Sequence, residues 1–136
     1  VFQNIHRFRS IPQIEIALPN GGAWKQAAAI CNYVNNLSEE LVTPEELMAD
    51  ADQSIAALGR MLKEYREILT EGNLMDFSSI QIEAYHLLRE NEEILDELRS
   101  QITHLMVDEY QDTNFIQEQL VFLLAGDRKN ICVVDD

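Results

Sequence analysis

The chain is poor in positive charge. Its 136 residues carry ten Lys and Arg against twenty-four Asp and Glu, a formal net charge of −14. Phosphate contacts need Lys and Arg, so this surface alone excludes strong nucleic-acid binding. There are only two cysteines, Cys31 and Cys132, with no Cys-x-x-Cys pair and no Cys/His cluster. That excludes a zinc site and a disulfide framework and leaves the expectation of two buried thiols in a reducing cytoplasm. His6, His86 and His104 share no ligand spacing. No apolar run approaches a membrane span, and no basic-then-apolar leader opens the chain. A start at Val1, without Met, reads as a trimmed segment. No Gly-x-x-x-x-Gly-Lys-Ser/Thr loop occurs, so nothing here cradles nucleotide phosphates.

What remains is ordinary globular material, 46% hydrophobic and 25% charged, enough for one core or two small lobes sharing one. Residues 1–73 carry ten acids and six bases, and residues 74–136 carry fourteen and four. The first 36 residues are slightly basic, with Arg7, Arg9 and Lys25 against Glu15.

Pro12 argues against a helix near the start, and Ile14-Glu15-Ile16-Ala17-Leu18 alternates like a short extended piece. After the Pro19-Asn20-Gly21-Gly22 turn, residues 23–37 suit a helix with a wide apolar stripe, on which Trp24 reads as a packing anchor ahead of a base-stacking ring. Thr43-Pro44-Glu45-Glu46 has the capping-box pattern. From it one long helix is predicted, with Leu47, Ala51, Ile55, Leu58, Leu62, Tyr65 and Leu69 on one face, ending at Gly72-Asn73. Another helix begins around Met75-Asp76-Phe77-Ser78, and Asn91 is placed to cap a further short one. The acidic stretch 90–97 reads as a solvated helix surface.

The period then changes. His104-Leu105-Met106-Val107 and Ile131-Cys132-Val133-Val134 are short apolar runs flanking a helix over residues 114–125, with Gly126 at its stop. Strand, helix, strand within about thirty residues reads as a βαβ unit with parallel strands. The expected fold class is therefore mainly α with a small parallel βαβ unit.

In parallel sheets ligands bind beyond the carboxyl ends of the strands. Asp108-Glu109 and Asp135-Asp136 stand at those two ends. One carboxylate there can hold Mg²⁺ and a second can orient or deprotonate a water attacking a nucleotide phosphate. Taken alone, such a pair is equally the ordinary polar end of a strand.

Asp108-Glu109-Tyr110-Gln111-Asp112-Thr113-Asn114, followed by Gln117 and Ile131-Cys132-Val133-Val134, resembles the Walker B region of UvrD/PcrA/Rep-like superfamily 1 DNA helicases. Asn73-Leu74-Met75-Asp76-Phe77 resembles the family's "LMDFDDL" segment at the right distance upstream. The similarity is close over residues 73–136, stylistic over 43–72 and absent over 1–42. There are two departures. Ser78-Ser79 replace two acids, though serine suits a helix start, and no glycine separates Val134 from Asp135-Asp136. The resemblance therefore assigns Asp135 and Asp136 no role.

The resemblance implies a partial RecA-like P-loop NTPase domain (residues 74–136) and part of an inserted helical subdomain (residues 1–73). It implies that Asp108 holds Mg²⁺, that Glu109 is the catalytic base for ATP hydrolysis, and that Gln111 and Asp112 couple the nucleotide site to its neighbours. Phe77 would stack on a base of single-stranded DNA; a core position on its helix is an equal alternative. The implied parent is a cytoplasmic 3′-to-5′ DNA helicase or translocase using ATP and Mg²⁺, with single-stranded and duplex DNA as partners. A rival reading is an acidic helical module that docks a DNA repair or replication protein, and a helicase–nuclease stays within the family.

Overall fold

A computed structural model describes residues 1–128 and 130–135. The chain forms two compact units, Val1–Asp76 and Phe77–Asp136.

The first unit holds four helices: α1 (Ile5–Arg9), α2 (Ala23–Glu39), α3 (Pro44–Met48) and α4 (Gln53–Glu71). Its core is Phe8, Ile11, Ile14, Leu18, Ile30, Val34, Met61 and Leu62. The segment expected to be extended is instead a 3₁₀ turn at Ile14–Ile16. Helical spacing wins there because Phe8, Ile11, Ile14 and Leu18 are buried at steps of three and four, whereas Ile16, which alternation would bury, is 63% exposed. Trp24 is also not an anchor. It is 74% exposed and meets the edge of Phe2, at 5.3 Å between ring centroids.

The capping box at Thr43 is present as expected, with Glu46 N–H donating to Thr43 Oγ1 and Thr43 N–H to the Glu46 carboxylate. The single long helix, however, is two. Asp52 accepts from Ser54 N–H at 2.8 Å and starts α4 afresh, so α3 folds back onto it. Gly59 permits that contact, because a Cβ there would lie 2.8 Å from both the Leu47 side chain and the Met48 backbone. With α3 folded back, the buried face of α4 centres on Ala56, Ala57, Met61 and Leu62, and Ala51 is exposed. Helix α4 stops with Asn73 in the left-handed region and Leu74 N–H returning to Leu69 C=O at 2.9 Å. Arg7 ties α1 to α4 through Glu64 and a two-pronged bond to Glu71.

The second unit runs α5 (Phe77–Glu90), α6 (Glu92–Gln101), β1 (Leu105–Val107), α7 (Phe115–Ala125) and β2 (Ile131–Val133). The strands pair in parallel, with Leu105 opposite Ile131, Met106 opposite Cys132 and Val107 opposite Val133, as the βαβ reading predicts. Helix α7 packs on α5 and α6, which bury Leu88 from α5, Leu95 from α6 and Ile116 from α7. Asn91 stands at the start of α6, but its side chain donates back to Leu87 C=O rather than capping. Ser78 is buried within the first turn of α5. Arg99 Nε donates to Leu123 C=O at the end of α7, and its guanidinium occupies the space a Cβ at Gly126 would fill.

Cys31 is half-buried and Cys132 exposed, so the expected burial of both thiols is not met. Met106 and Val133 are 77% and 48% exposed, so the sheet holding Cys132 leaves its faces largely open. Among the described residues no helix is long and apolar enough to cross a membrane.

Candidate functional site

The carboxyl end of β1 is built by backbone pairing that runs one residue past the strand. Val134 N–H donates to Val107 C=O at 2.8 Å, and Tyr110 N–H donates back to Val134 C=O at 3.1 Å. Asp108 and Glu109 lie between those two bonds, exposed beyond the strand end. Parallel pairing sets Asp135 just beyond the end of β2, also exposed; Asp136 lies outside the described residues.

Glu109 has φ of 52°, the left-handed region that an L residue with a Cβ occupies at a cost. The turn is held locally. Asp108 Oδ1 accepts Glu109 N–H at 3.1 Å, and Asp112 N–H donates to Glu109 C=O at 2.9 Å, closing a 3₁₀ turn over Tyr110–Asp112. Gln111 Nε2 donates to Glu109 Oε2 at 2.5 Å, which brings together two of the residues singled out from sequence. The side chain of Asp112 has no such contact with Asp108 or Glu109 among the hydrogen bonds described.

Sequence reasoning missed two supports of this turn. Tyr110 Oη donates to Glu118 Oε1 at 2.5 Å, and Thr113 Oγ1 donates to Tyr110 C=O at 2.7 Å. The bond to Glu118, with partial desolvation, raises the Tyr110 phenol above its ordinary range. Asn114 and Gln117 form a capping box at the start of α7, at 3.0 and 3.3 Å. The Asn-x-x-Gln spacing was the available signal for that capping box. Nothing local in the sequence marks the bond from Tyr110 to Glu118.

Mg²⁺ takes one or two carboxylates together with waters and substrate phosphates, so an exposed Asp108 beyond a strand end suits it. Among the described residues no group of three or more His, Cys, Asp or Glu side chains could hold a metal by itself.

Phe77 lies at the start of α5 and is 89% exposed, with Leu74, Met75 and Ile80 also exposed at 60%, 58% and 52%. It is not a core residue. Just before it, Asp76 accepts the Tyr65 hydroxyl at 2.5 Å. Burial, and then that bond, raise the Tyr65 phenol well above its usual range. Arg7 is engaged by Glu64 and Glu71, and Arg9 donates to Gln26. His104 is exposed, its ring beside the Thr103 hydroxyl.

The sequence pattern of the UvrD/REP helicase N-terminal domain matches residues 5–136, well beyond the segment where motifs alone show likeness. The chain is 36% identical over 104 residues to the ATP-dependent DNA helicase PcrA of Staphylococcus epidermidis, covering 76% of the chain and 14% of that protein. It is 34% identical over 107 residues to a probable DNA helicase II homolog of Mycoplasma capricolum, again 76% of the chain and 14% of the relative. To DNA helicase II of Escherichia coli it is 30% identical over 104 residues, with the same two coverages. The chain thus spans about 14% of the length of these relatives.

Proposed function

Because this chain belongs to the UvrD/REP helicase family, its N-terminal domain pattern matching residues 5–136, we propose that it is the nucleotide-hydrolysing edge of an ATP-dependent DNA helicase. On this reading residues 74–136 are part of the first RecA-like motor domain and residues 1–73 part of the helical subdomain inserted into it. The longer protein couples ATP hydrolysis to 3′-to-5′ movement on single-stranded DNA and to separation of the duplex, in the cytoplasm.

The observation that supports this most is the Asp108–Glu109 pair standing beyond β1, beside its parallel neighbour, where α/β sheets bind ligands. Asp108 is the residue to hold Mg²⁺, which when bound neutralises charge on the phosphates. The Glu109 carboxylate accepts a proton from the attacking water. Gln111, bonded to Glu109 Oε2, fixes that carboxylate and, with Asp112, links it to neighbouring motifs. Phe77 offers an exposed ring on which a DNA base can stack whatever its identity.

The test is ATP hydrolysis by the full-length protein, with and without single-stranded DNA, beside Glu109→Gln. DNA-stimulated hydrolysis that falls roughly a hundredfold or more in the variant is the expected result. DNA-independent hydrolysis, or a variant as fast as the wild type, overturns the reading. The 136-residue chain alone, which has no phosphate-binding loop, hydrolyses ATP no faster than its own Glu109→Gln form.

A further inference from the structure

The turn carrying Glu109 is braced by a side-chain contact that the proposed chemistry does not use. Tyr110, the next residue, is fastened at both ends. Its N–H is on Val134 C=O of the neighbouring strand segment at 3.1 Å, and its hydroxyl is on Glu118 Oε1 at 2.5 Å. Glu118 belongs to the first turn of α7, whose start is closed by the Asn114–Gln117 capping box. Thr113 Oγ1 adds a third bond, to Tyr110 C=O at 2.7 Å. Glu109 sits between Asp108 and this anchored tyrosine in a left-handed backbone conformation that L residues rarely adopt. Such conformations persist only where the surroundings over-determine them.

We propose that Glu118, acting through the Tyr110 hydroxyl, is a positioning residue for the Glu109 carboxylate. This rests on Glu109 being the base. The contact ties the turn to the start of α7, so the direction in which Glu109 leaves the strand is set by the helix as well as the sheet. Gln111 then fixes the carboxylate on a backbone already held in place. Tyr110 and Glu118 are both half-buried, so the bond between them is partly shielded from water. Misplacing a catalytic group by about an ångström slows chemistry by as much as ~100-fold without weakening ground-state binding. The signature of lost positioning is therefore a fall in kcat at constant KM.

The experiment is steady-state ATP hydrolysis by the full-length protein at saturating single-stranded DNA. The variants are Tyr110→Phe, Glu118→Leu, Glu118→Gln and the Tyr110→Phe/Glu118→Leu double, beside Glu109→Gln. Tyr110→Phe and Glu118→Leu are each expected to lower kcat by about 5- to 10-fold with KM for ATP little changed. The double variant is no worse than either single, because both remove one bond. Glu118→Gln, whose amide oxygen can still accept, recovers most of the rate lost in Glu118→Leu. A Tyr110→Phe protein with wild-type kcat overturns the proposal while an inactive Glu109→Gln leaves the helicase reading standing. So do losses in KM alone, or losses in the two singles that multiply in the double. A Glu109→Gln protein with full activity overturns both at once.

Discussion

Four residues other than glycine take left-handed backbone among those described: Gln13, Leu41, Asn73 and Glu109. Two of them close helices. Leu41 follows α2 with Val42 N–H returning to Leu37 C=O, and Asn73 follows α4 in the same way. Gln13 leads into the 3₁₀ turn at Ile14. Glu109 closes no helix; it stands at the end of a strand, exposed, in a turn where a residue without Cβ is the relaxed choice. Glu109→Gly is therefore expected to stabilise this chain by roughly 0.5–1 kcal/mol while removing the proposed base. Urea unfolding of the two forms measures it. A less stable glycine variant would show that the bond from Gln111 outweighs the backbone strain. The identity of this residue was legible in the sequence, because Asp-Glu after an apolar run is a short-range pattern. Its backbone was not, since glutamate carries no preference for the left-handed region. The Tyr110–Glu118 brace was hidden because it spans eight residues across a strand–helix turn.

At the scale of elements, end signals were read better than continuity. The Thr43 capping box, the stop at Gly72-Asn73 and the stop at Gly126 were all visible and all form. The break between α3 and α4 was not, because Leu47, Ile55 and Leu58 keep helical spacing across it and only Asp52 interrupts. The 3₁₀ turn at Ile14 was misread because Ile14, Ile16 and Leu18 satisfy an alternating pattern as well as a helical one. These caps have a titration signature. The Thr43 hydroxyl and then its N–H hold the Glu46 carboxyl below the usual range, and the Ser54 hydroxyl and N–H do the same for Asp52. Arg7 likewise lowers Glu71. A carboxyl whose folded value is depressed contributes stability above its unfolded pKa of about 4 and loses it as pH falls through the folded value. The first unit is thus expected to be destabilised progressively below about pH 4 by these three groups. Unfolding midpoints measured from neutral to acid pH check this. Glu46→Gln and Asp52→Asn should each be less stable at neutral pH and lose less on acidification; parallel curves for variant and wild type would refute the assignment.

For the molecule as a whole, family membership reaches further than its motifs. Residues 108–114 announce the family because their residue types match its motif position by position. Residues 5–42 belong to the same family pattern yet showed no likeness to the eye, because a helical packing unit needs only apolar residues at the right spacing. The charge of −14 is spread over a chain spanning about 14% of its relatives' length, so it does not forecast the electrostatics of a whole helicase. What this chain does forecast is its own association. In the second unit Met106 is 77% exposed, Phe122 52%, Val133 48% and Phe115 42%, around a sheet of two strands among the described residues. Open strand edges and uncovered apolar faces recruit further chains. Net negative charge opposes this, and salt screens that opposition over a Debye length of about 8 Å at physiological ionic strength. The 136-residue chain is therefore expected to elute as larger species in gel filtration as its concentration rises over a roughly hundredfold range, and more so when salt is added. Met106→Lys, on the most exposed position of the sheet, should weaken the effect. A monomer at every concentration in both salts would mean that the 24 acids outweigh these apolar faces unaided.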